Sequence, residues 1–142
     1  MLKVFQINLT DDLVNQINAG EIGPAAKAYL HSTLGKVMDA AKLELYEHVA
    51  DVSTDDNEVA FMIMNRWSEV DEKMVRRHKP LHSMSVGDIL IDDDHNAWVC
   101  ASCGFEQLSD EDRKVFECRI TWSEYRRLKV YDEEFQIMQL ES

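Results

Sequence analysis

The sequence is poor in residues that interrupt regular structure and in positive charge. Its 142 residues include only five glycines and two prolines, which excludes a collagen-like or low-complexity chain. Lysine and arginine supply 15 residues against 27 aspartates and glutamates, so the formal net charge is −12. Non-specific binding to nucleic acid depends on neutralisation of phosphates by lysine and arginine. We therefore expect no direct nucleic-acid partner.

Long hydrophobic runs and an even set of cysteines are also missing. The longest apolar stretches, such as residues 59–64, fall far short of the roughly 20 residues that cross a bilayer. The N-terminus has neither a continuous apolar segment nor a small-residue cleavage site, so no signal peptide is predicted. The three cysteines, Cys100, Cys103 and Cys118, fit reduced thiols better than a disulfide framework. These absences predict a cytoplasmic protein without membrane contact.

What is present suffices for a folded domain. Hydrophobic residues make up 45% of the chain, which supports a buried core despite the charge. The length suits one domain, and the sequence contains neither a repeat nor a linker. We therefore predict a single domain over residues 1–142, of the α+β class.

The N-terminal half is predicted to be mainly helical. Alternation over residues 3–9 first indicates a strand, with Leu9 on its buried face. Polar capping residues and a proline then predict helices that begin at Thr10, at Pro24 and within residues 53–58. This half is expected to pack on a sheet formed farther along the chain.

That sheet is predicted to be small and antiparallel, and to include a hairpin near residues 86–104. Gly87 and Asp88 form a structural turn, because glycine allows the backbone angle and aspartate caps the turn before a buried strand. Residues 92–96 are predicted to form the polar turn of the hairpin, and residues 49–52 a further short strand.

The C-terminal tail allows two interpretations. Phe116 begins an alternation that runs to Trp122 and is typical of a strand. Residues 121–124, in contrast, match a capping box that opens a helix. Residues 135–140 could form a final strand.

Cys100 and Cys103 form the most distinctive local motif, C-x-x-C-G. Two thiolates on a tight turn can supply half of a tetrahedral zinc site. A second pair of ligands is missing, because only Cys118 and scattered histidines remain. Two small buried residues at the end of a strand are the simpler interpretation. The pair is thus a candidate metal site, and no cofactor is predicted.

No arrangement of residues predicts catalysis. Residues 82–88 contain histidine, serine and aspartate, but catalytic triads assemble from distant segments rather than from neighbouring positions. A nucleophile elbow, a phosphate loop and a dinucleotide fingerprint are all absent from the sequence. We therefore expect a protein that is not an enzyme.

The charge is unevenly distributed along the chain. Residues 73–82 hold four basic residues and no acid, whereas residues 51–72 hold seven acids and one base. Neutralisation of one segment by the other within the molecule is the simpler interpretation. Basic and aromatic side chains are nevertheless the candidates for contact with a partner. These are Trp67, Arg76, Arg77, His82 and Trp98.

A family resemblance rests on the sequence P-L-H-S-M-S-V-G-D-I-L at residues 80–90. An acidic turn follows, and then W-V and G-F pairs at residues 98–99 and 104–105. This pattern resembles a group of small proteins encoded by tailed bacteriophages, which carry an H-S-[MV]-S-V-G-D-[IV] core ending in a G-F pair. No catalytic residue carries over, because none is established for the group. Where this chain has cysteines, those proteins usually have apolar or small residues.

The resemblance implies a small acidic accessory protein that binds a host or phage protein, in host takeover or counter-defence, in the cytoplasm of the infected cell. Two alternatives stay open. Acidic runs at residues 55–58, 92–94 and 132–134 suggest a DNA mimic that inhibits a nucleic-acid-binding protein. A small-molecule or metal-binding protein is the other alternative. The arginines and tryptophans of the candidate set would then line its pocket.

Overall fold

A computed structural model describes residues 1–117 of the chain. The strands are β1 (Leu2–Ile7), β2 (Tyr46–Val52), β3 (Val75–Arg77), β4 (Ile89–Ile91), β5 (Ala97–Ala101) and β6 (Gly104–Gln107). The helices are α1 (Asp11–Asn18), α2 (Pro24–Ser32), α3 (Met38–Lys42), α4 (Asn57–Arg66), α5 (Glu69–Lys73) and α6 (Asp110–Glu117). The strands form one six-stranded antiparallel sheet in the order β3-β2-β1-β4-β5-β6. The predicted α+β class is confirmed.

The helix starts follow the local signals in the sequence. The Thr10 side chain accepts a hydrogen bond from the Leu13 backbone N–H and caps α1. Pro24 occupies the first turn of α2, where its missing N–H has no helical partner to lose. The Asp56 carboxylate caps α4 by accepting from the backbone N–H groups of Glu58 and Val59. All three predicted starts are confirmed.

The sheet separates two hydrophobic cores, and β1 contributes to both. Phe5 and Ile7 pack with residues of α2, α3 and α6, whereas Leu2 and Val4 pack with residues of α4 on the other face. The N-terminal half therefore supplies central strands of the sheet as well as helices that cover it. Leu9 was predicted to be buried, but 43% of it is exposed because β1 ends at Ile7.

The predicted hairpin is formed by β4 and β5, and β6 extends it by a third strand. Its turn is held by the Asp92 carboxylate, which accepts from the backbone N–H groups of Asp94 and Asn96. Phe116, a candidate strand residue, lies instead in α6, where its ring is fully buried against Tyr46. The other tail predictions, over residues 118–124 and 135–140, lie outside the described residues.

The helices of residues 1–117 are short. No helix in that part of the chain combines the length and the apolar composition that a bilayer span requires.

Gly87 lies in contact with the last turn of α2. Its φ is +95°, and a Cβ atom built there would lie 2.3 Å from the carbonyl oxygen of Ser32. The Asp88 carboxylate closes the same turn by accepting from the Ser85 backbone N–H at 3.0 Å. Both roles predicted for this turn are confirmed, and the approach to α2 adds a requirement for glycine that the sequence did not reveal.

Gly87→Ala is therefore expected to destabilise the protein by more than about 3 kcal/mol, because backbone strain and overpacking act together. Gly35→Ala is the matched control, since Gly35 also has a positive φ, +86°, but nothing lies within 4 Å of an added Cβ atom. It should lose only about 1–2 kcal/mol. Urea unfolding of both variants measures the difference, and equal losses would contradict close packing at Gly87.

Candidate functional site

Three polar side chains lie buried together where β2 meets β3. Nε2 of His48 lies 2.8 Å from Oδ1 of Asp51, and Nε2 of His78 lies 2.8 Å from Oδ2 of the same carboxylate. The exposed fractions of the three side chains are 0% for His48, 1% for Asp51 and 0% for His78. A carboxylate bridged by two imidazoles is thus enclosed within the protein. We call these residues the Asp51 cluster.

A β-bulge makes the contact within β2 possible. Side chains three positions apart on a regular strand lie on opposite faces of a sheet. Val4 and Phe5 of β1 pair with Ala50 and His48, so Val49 is an extra residue in β2. The bulge returns Asp51 to the face on which His48 stacks against Phe5, with ring centroids 5.1 Å apart.

The two imidazole rings of the cluster form hydrogen bonds on the Asp51 side and none on the other side. Burial acts to raise the pKa of the Asp51 carboxyl, but hydrogen bonds from His48 and His78 outweigh it and hold that pKa well below its usual range. On the far side of each ring, the buried Nδ1 atoms of both histidines lack a hydrogen-bond partner among the described residues. The imidazoles are therefore held from the Asp51 side only.

A second buried carboxylate, Asp88, joins the loop before β4 to β1. It accepts hydrogen bonds from Nε2 of Gln6 at 2.9 Å and from the Ser85 backbone N–H. The Gln6 amide also donates to the His82 carbonyl oxygen and accepts from the His82 N–H. Burial raises the pKa of Asp88 to about 6, because its donors are neutral groups that stabilise the anion less than a cation would.

The cavity beside Asp88 is small. Tyr46, His82 and Gly87 also line it, and its volume is about 40 Å³, which is room for one or two water molecules. The Tyr46 hydroxyl donates to the Gly87 carbonyl oxygen and closes one side. This geometry supports a structural role for the turn rather than the binding of a larger ligand.

The five candidate partner-binding residues do not form one surface. Alternation along β3 places Arg76 and Arg77 on opposite faces of the sheet. The Arg77 guanidinium lies 4.7 Å from the centre of the Trp67 ring. Trp98 belongs to β5, which is the fourth strand from β3 in the sheet and therefore about 19 Å away from it. His82 lies beside β1. Only Trp67 and Arg77 are shown in direct contact.

The cysteines of the C-x-x-C motif have different surroundings. Cys100 is buried in the core beneath α4, and burial raises the pKa of its thiol to about 11. Cys103 is exposed in the turn between β5 and β6. The prediction of two buried residues therefore holds for Cys100 and fails for Cys103. Among residues 1–117, the only group of three metal-ligating side chains is the Asp51 cluster, and Cys118 lies outside that range.

Several acids of residues 51–72 are not free surface charges. Asp71 is only 1% exposed and binds the Arg66 guanidinium through both carboxylate oxygens at 2.8 Å. Glu72 pairs with Arg77 at 2.6 Å. Asp51 links the acidic segment to His78 of the basic one. The neutralisation predicted between the two segments therefore occurs at Arg77, and His78 adds a hydrogen bond between the segments.

Sequence reasoning missed Gln6 and all three residues of the Asp51 cluster. One signal was available: His48 and Asp51 lie among the apolar residues Val49, Ala50 and Val52 of one strand. Polar residues within a buried strand require internal partners. The third member, His78, is 27 positions from Asp51, and no local pattern connects them.

Comparisons with known proteins provide no relative. No family model matches the chain, and neither a curated protein nor a solved structure is significantly similar to it. Its function must therefore be inferred from its own residues.

Asp88→Asn tests the electrostatics of the second carboxylate. Because the pKa is raised to about 6 in the folded protein, ionisation of Asp88 above that pH opposes folding. An amide avoids this penalty and can still accept a hydrogen bond through its oxygen. We expect the variant to gain stability relative to the parent as pH rises from 4 to 7, by up to about 3 kcal/mol.

Urea unfolding at each pH measures the difference in unfolding free energy between the variant and the parent. The titration of other groups contributes equally to both proteins and therefore cancels in this difference. A difference that stays constant over the range would show that the buried Asp88 does not titrate there.

Proposed function

We propose that this chain is a non-enzymatic accessory protein that binds another protein through a surface centred on Trp67 and Arg77, here called the Trp67 surface. The resemblance to tailed-bacteriophage proteins supports a host or phage protein as the partner, in the cytoplasm of an infected cell. The contact between the two side chains is the observation that carries the proposal.

Trp67 occupies an unusual backbone conformation. It ends α4 with φ +54°, in the left-handed region, where glycine is the usual residue. A side chain there costs about 1–2 kcal/mol. Strained residues of this kind concentrate at functional sites. The conformation supports a role for the Trp67 ring beyond ending the helix.

The chemistry of the Trp67 surface is that of a binding hot spot. Tryptophan and arginine are two of the residue types that dominate binding energy at protein interfaces. The guanidinium stacks on the ring, and 47% of the Arg77 side chain is exposed. The two adjoining helices also carry exposed apolar side chains, Met62 on α4 at 51% and Val70 on α5 at 68%.

Charge reversal at Arg77 tests the Trp67 surface. Arg77→Glu is expected to weaken binding of a partner captured from bacterial lysate by about 30-fold or more, as for the loss of a hot-spot residue. Lys42→Glu is the matched control, because it makes the same charge change at an exposed position of α3, against the opposite face of the sheet. Calorimetry with the purified partner measures both affinities.

Trp67→Gly provides a second arm of this experiment, since glycine suits the backbone conformation and removes the ring. It should bind as weakly as Arg77→Glu while remaining folded. Unchanged affinity in both variants, or capture of no specific protein, would contradict the proposal.

A DNA mimic is the second candidate, and one contact favours it. The N-terminal nitrogen of Met1 lies near the carboxylates of both Asp55 and Asp93, with Asp93 at 3.0 Å. Two acidic runs that are distant in the sequence are therefore adjacent in space; the third, residues 132–134, lies outside the described residues. If mimicry is the function, duplex DNA should compete for the captured partner, and Asp55→Asn with Asp93→Asn should weaken binding. Absence of competition would exclude it.

A further inference from the structure

The Asp51 cluster brings together donor atoms that are characteristic of metal sites. One ligand atom from each of His48, Asp51 and His78 lies within 4.8 Å of the other two. The residues come from β2 and from the segment after β3, so the tertiary structure assembles the group. We propose that these three side chains bind a divalent transition-metal ion of the Zn²⁺ class. This proposal is independent of the Trp67 surface.

A purely structural role explains the cluster poorly. A buried charged group is often no more stabilising than apolar residues of the same size. Here Nδ1 of His48 and Nδ1 of His78 are also buried without a partner in the described part of the chain. Unpaired buried polar atoms are uncommon in folded proteins. The polar atoms of the cluster are thus incompletely satisfied by the protein alone.

The charge of the cluster favours a cation. The Asp51 carboxylate, whose pKa is held well below its usual range, places a negative charge in a region shielded from water. A divalent ion would reverse that sign and use the Nε2 lone pair of each ring. The hydrogen of each ring would then reside on Nδ1, which has no hydrogen-bond partner among residues 1–117. Metal binding therefore requires each ring to move its hydrogen from Nε2, which donates to Asp51 in the ion-free protein, to Nδ1.

The geometry requires only local adjustment. Ligand atoms around one zinc ion lie about 3.4 Å apart, and both Nε2 atoms already lie 2.8 Å from a carboxylate oxygen. The widest separation, up to 4.8 Å, would close by about 1.4 Å, which side-chain rotation can supply. Two nitrogens and one oxygen favour Zn²⁺ or Co²⁺ over Mg²⁺ and Ca²⁺, which prefer oxygen ligands.

The cluster adjoins a cavity through one of its three residues. Asp51 borders a cavity of about 380 Å³ that Met1, Ser53, Met74 and Arg76 also line. Three protein ligands leave at least one coordination position for water, as in zinc sites that are not closed.

The first test uses the unaltered full-length protein after chelator treatment. Long-range ¹H–¹⁵N spectra record the ring nitrogens of all five histidines during titration with Zn²⁺. We expect the Nε2 signals of His48 and His78 to shift together and saturate at one equivalent, with Mg²⁺ giving no change. Shifts confined to His31, His82 or His95, or no shift at all, would overturn the proposal.

The second test separates this site from the cysteines. Co²⁺ bound by imidazole and carboxylate gives visible d–d bands without the near-ultraviolet charge-transfer band of a thiolate ligand. His78→Gln should weaken Co²⁺ binding by at least about 100-fold, because loss of a ligand exceeds the effect of losing an outer partner. His95→Gln, at an exposed histidine beside Glu117, is the control and should bind as the parent does.

A thiolate charge-transfer band in the parent would place the ion at Cys100 and Cys103 and overturn the proposal. Equal loss in the His95→Gln control would do the same. Thermal melting with and without Zn²⁺ covers the case in which His78→Gln does not fold. The parent should melt at a higher temperature with Zn²⁺, since a ligand bound only by the folded state stabilises it, and an unchanged melting temperature would count against the site.

Discussion

The buried amide of Gln6 is the interaction on which the centre of the structure depends. It binds both backbone groups of His82 and one oxygen of Asp88, which are 76 and 82 positions away in the chain. These hydrogen bonds fix the loop before β4 against the central strand β1. The same loop places Gly87 against the Ser32 carbonyl oxygen at the end of α2. One side chain thus couples the middle of the sheet to the helical layer.

Two buried carboxylates in the same sheet show how the type of donor decides ionisation. Burial acts to raise the pKa of Asp51, but the hydrogen bonds that it receives from two imidazoles outweigh this effect and lower that pKa. Asp88 receives hydrogen bonds from an amide and a backbone N–H, and burial raises its pKa to about 6. The pKa values of two carboxyl groups that are both shielded from water are therefore shifted in opposite directions. Asp88 has the surroundings of a structural group, whereas Asp51 has those of a ligand-binding group.

Local signals in the sequence predicted local structure well. Thr10 and Pro24 specify helix starts through interactions within a few residues, and the turn at residues 92–96 follows from its own side chains. The Asp51 cluster could not be predicted in the same way. It depends on a bulge in β2 and on the pairing of β3, which brings in His78.

The coupling between Gln6 and Asp88 is the most direct measure of this account. A double-mutant cycle with Gln6→Met, Asp88→Ala and the pair, followed by urea unfolding at pH 7, isolates their interaction energy, because alanine removes the acceptor of the Gln6 amide. If the Gln6 amide holds the loop against β1, the sum of the two single losses in unfolding free energy should differ from the loss in the double variant by about 1 kcal/mol or more. Strictly additive effects would show that the loop is held by other contacts and would contradict the central role of Gln6.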